Sequence, residues 1–154
     1  VKILLLSVGR PDRSPFGPIF EDYAARIRRF GVAFDARFVP EVEAGTRYSD
    51  DHVRAREGRA IVEATPPRAR VVAVDPAGAT WTSEQFAARL EAWSTPLAVF
   101  VVGGPLGLDA SVRGAAAAAV SLSAMTLPHD LARVVVAEQI FRALTILRGV
   151  PYHK

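Results

Sequence analysis

Two hydrophobic rhythms alternate along the chain. Short segments are apolar at nearly every position, and between them apolar residues recur every three or four positions. The first kind suits strands covered on both faces, and the second suits helices that bury one face. Lys2 to Val8 is such a continuous run and closes on Gly9. After the turn-forming stretch Pro11 to Pro18, Phe20, Tyr23, Ala24, Ile27 and Phe30 fall at helical spacing. Glu21, Asp22, Arg26 and Arg28 occupy the opposite face, and Gly31 ends the segment. Val32 to Val39 predicts a second strand, Glu41 to Tyr48 a polar connection, and Asp50 to Ala64 a charged helix bearing His52, Arg54, Arg56 and Arg59, closed by Pro66 and Pro67.

Arg70 to Asp75 predicts a third strand, from whose end Pro76-Ala77-Gly78 turns the chain away. Thr82-Ser83-Glu84-Gln85 has the form of a capping box opening a helix with Phe86, Leu90 and Trp93 on one face. Leu97 to Val102 predicts a fourth strand. It is followed by the turn Gly103-Gly104-Pro105-Leu106-Gly107, an alanine-rich helix, the loop Leu122 to His129 and a long helix from Asp130 to Leu147. Strands alternating with helices predict an α/β fold, a single domain over residues 1–154 with a parallel sheet.

Composition narrows the chemistry. With 154 residues the chain is long enough to bury a core without crosslinks, and with no cysteine it has neither disulfides nor a thiolate nucleophile or metal ligand. His52, His129 and His153 show no ligand spacing, so no metal is expected. The N-terminal apolar run is too short to span a bilayer and lacks a cleavage site, which predicts a buried strand, a cytoplasmic protein and no membrane partner. The net charge of +3 is carried almost wholly by arginine, since Lys2 and Lys154 are the only lysines. This is compatible with a nucleic-acid partner and equally with a mixed-charge solvated surface.

Ligands of parallel sheets sit off the carboxyl ends of the strands. Gly103-Gly104-Pro105 is neither a dinucleotide fingerprint nor a phosphate loop, and Pro105 removes a backbone donor that a phosphate cradle needs. Beside the hydroxyl-bearing loop Ser123 to Pro128, glycines that allow close backbone approach suit an adenosine-like ligand without a phosphate chain, such as S-adenosylmethionine. A tight strand-to-helix turn is the competing explanation. In the last helix Glu138 lies within an apolar run, so it must be paired or hydrogen-bonded or its pKa must rise, and Arg142 stands four residues on, where the two can satisfy each other.

Four ordered stretches carry a resemblance: Gly103 to Leu108, Ser121 to His129, Val136 to Ala143, and Pro151-Tyr152-His153. Together, over essentially the full length, they resemble the RlmH-type large-subunit rRNA methyltransferases of the SPOUT class. The resemblance implies a single-domain parallel-sheet SPOUT fold with a C-terminal trefoil knot. It also implies S-adenosylmethionine-dependent methylation of N3 of a pseudouridine in 23S rRNA on the assembled ribosome, by a homodimer. The cofactor positions it carries over are Val74, Gly103, Gly104, Leu122, Ser123, Ala124, Met125, Thr126, Leu127 and Pro128. The catalytic and RNA positions are His129, Arg133, Glu138, Arg142, Tyr152 and His153. The chain departs from the family pattern at Glu41 to Arg47, at Ala79 and at Phe141.

On this reading Tyr152 aligns the uracil-type ring and His153 or His129 manages its proton. Arg133 and Arg142 hold phosphates or developing negative charge, and the tail of one subunit completes the pocket of the other. Two alternatives remain open: a SPOUT methyltransferase for another RNA position, and a non-catalytic RNA- or nucleotide-binding module of the same fold.

Overall fold

The computed structural model describes residues 2–43, 45 and 47–154. Five strands form one parallel sheet: β1 (Lys2–Val8), β2 (Ala33–Val39), β3 (Arg70–Thr80), β4 (Ala98–Val102) and β5 (Ala118–Ser121), in the order β2-β1-β4-β3-β5. Among the described residues five α-helices and a short 3-10 turn at Pro11–Arg13 accompany them: α1 (Gly17–Arg28), α2 (Asp50–Ala64), α3 (Ser83–Trp93), α4 (Ala110–Ala115) and α5 (His129–Leu147).

The continuous apolar runs follow from burial on both faces. In β1, Ile3 and Leu5 enter a core shared with α1, α3 and α5, whereas Leu4, Leu6 and Val8 enter a second core with Ile61 of α2 and Val112 of α4. β4 divides in the same way, Phe100 and Val102 to one side, Val99 and Val101 to the other. A strand's side chains alternate between faces, so a strand with helices on both sides is apolar throughout. α5 packs between α1 and α3 on the first face. The capping box at α3 forms as its sequence suggests, with Gln85 N–H donating to Thr82 Oγ1 and Thr82 N–H to Gln85 Oε1.

Two expectations are corrected. The alanine-rich segment is not one helix: α4 stops at Ala115, and Ala118–Ser121 forms the edge strand β5, paired with β3. Alanine's helix preference is weak beside the partners that β3 offers to an extended segment. Pro76-Ala77-Gly78 does not end β3. The strand bulges between Val74 and Ala79 and resumes pairing with Val120 and Ser121. Gly78 permits this, because a Cβ there would lie 2.7 Å from the Ala119 carbonyl carbon. No side chain of the Ser123 to Pro128 loop caps α5, whose N-cap is Pro128.

The connection Glu41 to Tyr48 contains no helix or strand among its described residues; positions 44 and 46 lie outside them. No helix among the described residues is long and apolar enough to cross a membrane.

Candidate active site

The carboxyl ends of β3, β4 and β5 open into a cleft of about 1070 Å³. One wall is the glycine turn after β4, and another is the loop between β5 and α5. Of the positions expected to hold a cofactor, Val74, Gly103, Gly104, Leu122, Ser123, Met125, Thr126, Leu127 and Pro128 border this cleft, and His129 joins them. Ala124 does not border it.

The loop organises itself. Ser121 Oγ donates to the Ser123 carbonyl at 3.0 Å, and Ser123 Oγ accepts from Met125 N–H at 2.9 Å. Met125 is left 80% exposed at the rim. The two glycines also meet a demand that their sequence pattern does not reveal. A Cβ on Gly103 would sit 2.9 Å from the carbonyl carbon of Gly107, and one on Gly104 would sit 3.0 Å from Glu57 Oε1. Their absence of side chains first lets the turn close on itself, with Gly107 N–H donating to the Gly104 carbonyl at 3.0 Å.

Glu57, on the charged helix α2, is only 3% exposed. Its Oε2 accepts from Val42 N–H at 3.0 Å, and its Oε1 has no partner among the described residues. Burial pushes its carboxyl above the ordinary range. Charged residues outside the expected site residues also border the cleft, among them Asp51, Arg54, Asp75, Asp109 and Arg113. Asp75 is buried, accepts from Ala77 N–H at 2.8 Å and faces Arg113 Nε at 3.6 Å. Its place as the last residue of an apolar strand run was the available signal; nothing in the sequence marked Arg113.

The catalytic candidates fall into two groups. His129 opens α5 at the cleft and makes no side-chain hydrogen bond among the described residues. Arg133, one turn on, is 2% exposed. Its Nη2 donates to the Val8 carbonyl at 3.0 Å, and its guanidinium lies 4.9 Å from the centroid of the Phe38 ring. An arginine so enclosed braces the end of β1 through its Nη2. Desolvation pulls its pKa down.

The second group lies further along α5. A rise of 1.5 Å per residue puts Glu138 about 14 Å from His129 along the helix, and Arg142 about 20 Å. Glu138 Oε1 accepts from Arg142 Nε at 3.0 Å, Arg142 Nη2 at 2.6 Å and the Tyr152 hydroxyl at 3.1 Å, while Oε2 accepts from Gln139 at 2.7 Å. The Arg142 guanidinium stands 4.8 Å from the Tyr152 ring centroid. His153 Nδ1 meets Arg142 Nη1 at 3.3 Å, and its Nε2 meets Glu84 Oε1 at 2.8 Å. Since a guanidinium can only donate, Nδ1 is the acceptor and Nε2 carries the hydrogen directed at Glu84. The hydrogen bond from His153 holds the Glu84 carboxyl down to about 2. Burial, with bonding to Tyr23 and Glu138, pushes the Tyr152 hydroxyl up to about 12. The tail is thus tied to α5 and α3. Among the described residues no group of three or more His, Asp or Glu side chains is gathered where it could hold a metal ion.

Comparison with known proteins agrees with this architecture. The chain matches the family described as "Predicted SPOUT methyltransferase" over residues 1–153. Among solved structures it resembles TrmJ from Z. mobilis ZM4, with a TM-score of 0.52 and 17% identity, covering 92% of this chain and 69% of that one. At that identity the likeness speaks for the fold alone. The fold is that of a SPOUT-class methyltransferase. Three curated relatives, each a ribosomal RNA large subunit methyltransferase H, align over nearly their whole length. The one from Anaeromyxobacter sp. (strain Fw109-5) is 41% identical and covers 100% of both chains. That from Gemmatimonas aurantiaca is 42% identical with 100% of both covered, and that from Porphyromonas gingivalis is 36% identical with 99% of both covered. The chain belongs to the ribosomal RNA large subunit methyltransferase H family.

Proposed function

We propose that this enzyme methylates N3 of a pseudouridine in 23S rRNA on the assembled ribosome, in the cytoplasm, with S-adenosylmethionine as donor. On this reading it acts as a homodimer of single-domain protomers, residues 1–154, whose C-terminal segment carries the trefoil knot of its class. The observation that carries the reading is the cleft between the Gly103–Gly107 turn and the Ser123–Pro128 loop, in a chain aligned end to end with large-subunit rRNA methyltransferases.

The cleft fits the proposed cofactor. Its volume is at the upper end of small-molecule sites, and it combines apolar walls from Leu106, Leu122 and Leu127 with charges of both signs. Leucines and backbone would hold the adenosine. The carboxylates of Asp51, Asp75 and Asp109 suit cationic groups, and Arg54 and Arg113 suit a carboxylate. When bound, S-adenosylmethionine supplies an electrophilic methyl group on a sulfonium.

The chain's own residues would position the acceptor ring and take its proton. N3 of a uracil-type ring must lose a proton to become nucleophilic. His153 has both ring nitrogens engaged, whereas His129 stands at the cleft with its ring nitrogens uncommitted among the described residues. We therefore assign proton acceptance to His129. Tyr152, protonated up to about pH 12, donates or stacks and does not act as a base. Arg142 keeps its charge and faces the anionic ring that forms. Because His129 and the Glu138–Arg142–Tyr152 cluster are separated along one helix, the reacting pocket joins the cleft of one copy to the tail of another.

Labelled-methyl transfer to methylation-deficient ribosomes and to isolated subunits, with the modified base identified by mass spectrometry, tests the substrate. Methylation elsewhere, or none, overturns it. A chain ending at Val150 should bind cofactor yet lose transfer. Mixing a Gly104 variant with a Tyr152 variant should restore partial activity, and its absence in a verified mixed dimer rejects the shared pocket.

A further inference from the structure

A second surface lies beside the cleft, at the start of α2. The rings of Tyr48 and His52 are stacked, with centroids 4.7 Å apart and planes at 13°. Two guanidinium groups address Tyr48, Arg47 at 5.6 Å and Arg56 at 5.8 Å from its centroid. His52 is exposed, and among the described residues Tyr48 is its only stacking partner. His52, Arg56 and Arg59 stand at i, i+4 and i+7, along one face of α2. Arg47, Arg56 and Arg59 are exposed and make no ion pair among the described residues.

Acidic residues nearby do not cancel this charge. Asp51 is taken by Arg54, which in turn donates to the Leu106 carbonyl at the cleft wall. Asp50 sits in the first turn of α2, where the helix dipole favours a carboxylate. What is left is an aromatic stack with an open end, one helical turn from the cleft rim. The guanidiniums of Arg47 and Arg56 border it and Arg59 lies further along the same helix face, none of them paired with a carboxylate among the described residues.

We propose that Tyr48 and His52, with Arg47, Arg56 and Arg59, form a single-stranded RNA contact. An unpaired base would extend the stack on His52, and the arginines would hold the adjoining phosphates, outside the reacting pocket. Aromatic stacking of unpaired bases tolerates any sequence, and guanidiniums supply the phosphate contacts. The inference rests on RNA being the substrate and assigns a surface through which the enzyme grips it.

The test uses the full-length enzyme and its His52→Ala, Tyr48→Ala and Arg47→Ser/Arg56→Ser variants, at positions that are exposed or, for Tyr48, half-buried. Affinity for a fluorescein-labelled single-stranded oligouridylate should fall about fivefold or more on removal of either ring. The double arginine variant should reduce the slope of log K against log salt by about 0.7 for each phosphate it no longer neutralises. With ribosomes as substrate, KM should rise while kcat and the affinity for S-adenosylmethionine stay at wild-type values.

Unchanged oligonucleotide affinity and unchanged KM overturn the inference. So does a KM that rises on ribosomes while oligonucleotide affinity holds, since the surface would then meet protein. A fall in cofactor affinity in step with RNA affinity also overturns it, by making the stack a support of the cleft. The two readings fail separately. A wild-type enzyme that binds the oligonucleotide through His52 but methylates no ribosome rejects the substrate reading alone. One that methylates ribosomes regardless of these residues rejects only the RNA-binding surface.

Discussion

Tyr152 donates its hydroxyl to Glu138 Oε1 at 3.1 Å, reaching back fourteen positions in sequence from beyond the end of α5. The same oxygen accepts from Arg142, whose guanidinium lies over the Tyr152 ring. One carboxylate thereby fixes the position of a cation and of an aromatic ring.

Replacing Tyr152 by Phe keeps the ring over Arg142 and removes the donor. Net loss of such a bond costs about 1 kcal/mol, or about 2–4 °C in Tm for a chain of this size. Methyl transfer should fall about tenfold with cofactor affinity unchanged, as single-turnover rates and calorimetry would read. A variant with wild-type rate would remove Tyr152 from the chemistry.

The phenolic titration is a second check. The Tyr152 hydroxyl is pushed up to about 12 from an ordinary value near 10, mainly by burial. Its folded pKa lies above its unfolded one, so its contribution to stability is full below pH 10 and is lost as pH rises from about 10 to 12. Absorbance near 295 nm should show one of the three tyrosines titrating late, and Tyr152→Phe should abolish that step.

Glu57 predicts a dependence at lower pH. Burial raises its carboxyl pKa, so its neutral form suits the fold. The wild-type chain should lose stability as pH rises from the ordinary carboxylate range through the raised value. Glu57→Gln should flatten that slope in denaturant titrations at several pH values. An unchanged slope would assign the effect to another group.

Arg133 offers a test of the brace at the end of β1. Arg133→Met preserves bulk but leaves the Val8 carbonyl without its donor, for a cost of about 1–3 kcal/mol. Urea unfolding should register that loss, and Arg133→Ala, which also opens a cavity against Phe38, should cost more. If Arg133→Met were as stable as wild type yet had weaker RNA affinity, Arg133 would be a phosphate ligand and not a brace.

Gly103→Ala should damage the cleft more than Gly104→Ala. At Gly103 the added carbon meets the backbone of Gly107, which cannot yield without opening the turn. At Gly104 it meets first the carboxylate end of Glu57, a side chain that can shift by a few tenths of an ångström. Calorimetric affinity for S-adenosylmethionine should drop further in the first variant, with an overpacking cost of about 1–3 kcal/mol in stability.

Much of this protein was legible in local pattern. The two-sided apolar runs of β1 and β4, the bounds of α2, the capping box at Thr82 and the Glu138–Arg142 pair are each set by neighbours within about one helical turn or one strand. The Gly103–Gly107 turn and the Ser123–Pro128 loop could be picked out as cleft walls because parallel strands present their carboxyl ends together. Contacts across the chain decided the rest. Alanines 118 and 119 become strand only because β3 continues past Pro76 to pair with that stretch. Glu57, on the charged helix α2, is buried because Val42 and Gly104 close over it. Arg133 is buried because Val8 and Phe38, far away in sequence, enclose it. Tyr152 and His153 are held in place by Glu138, Arg142 and Glu84, none of them adjacent in sequence. Local propensity and spacing act over a few residues. Burial and hydrogen bonding are properties of the packed whole, and they chose the partner of each charged side chain.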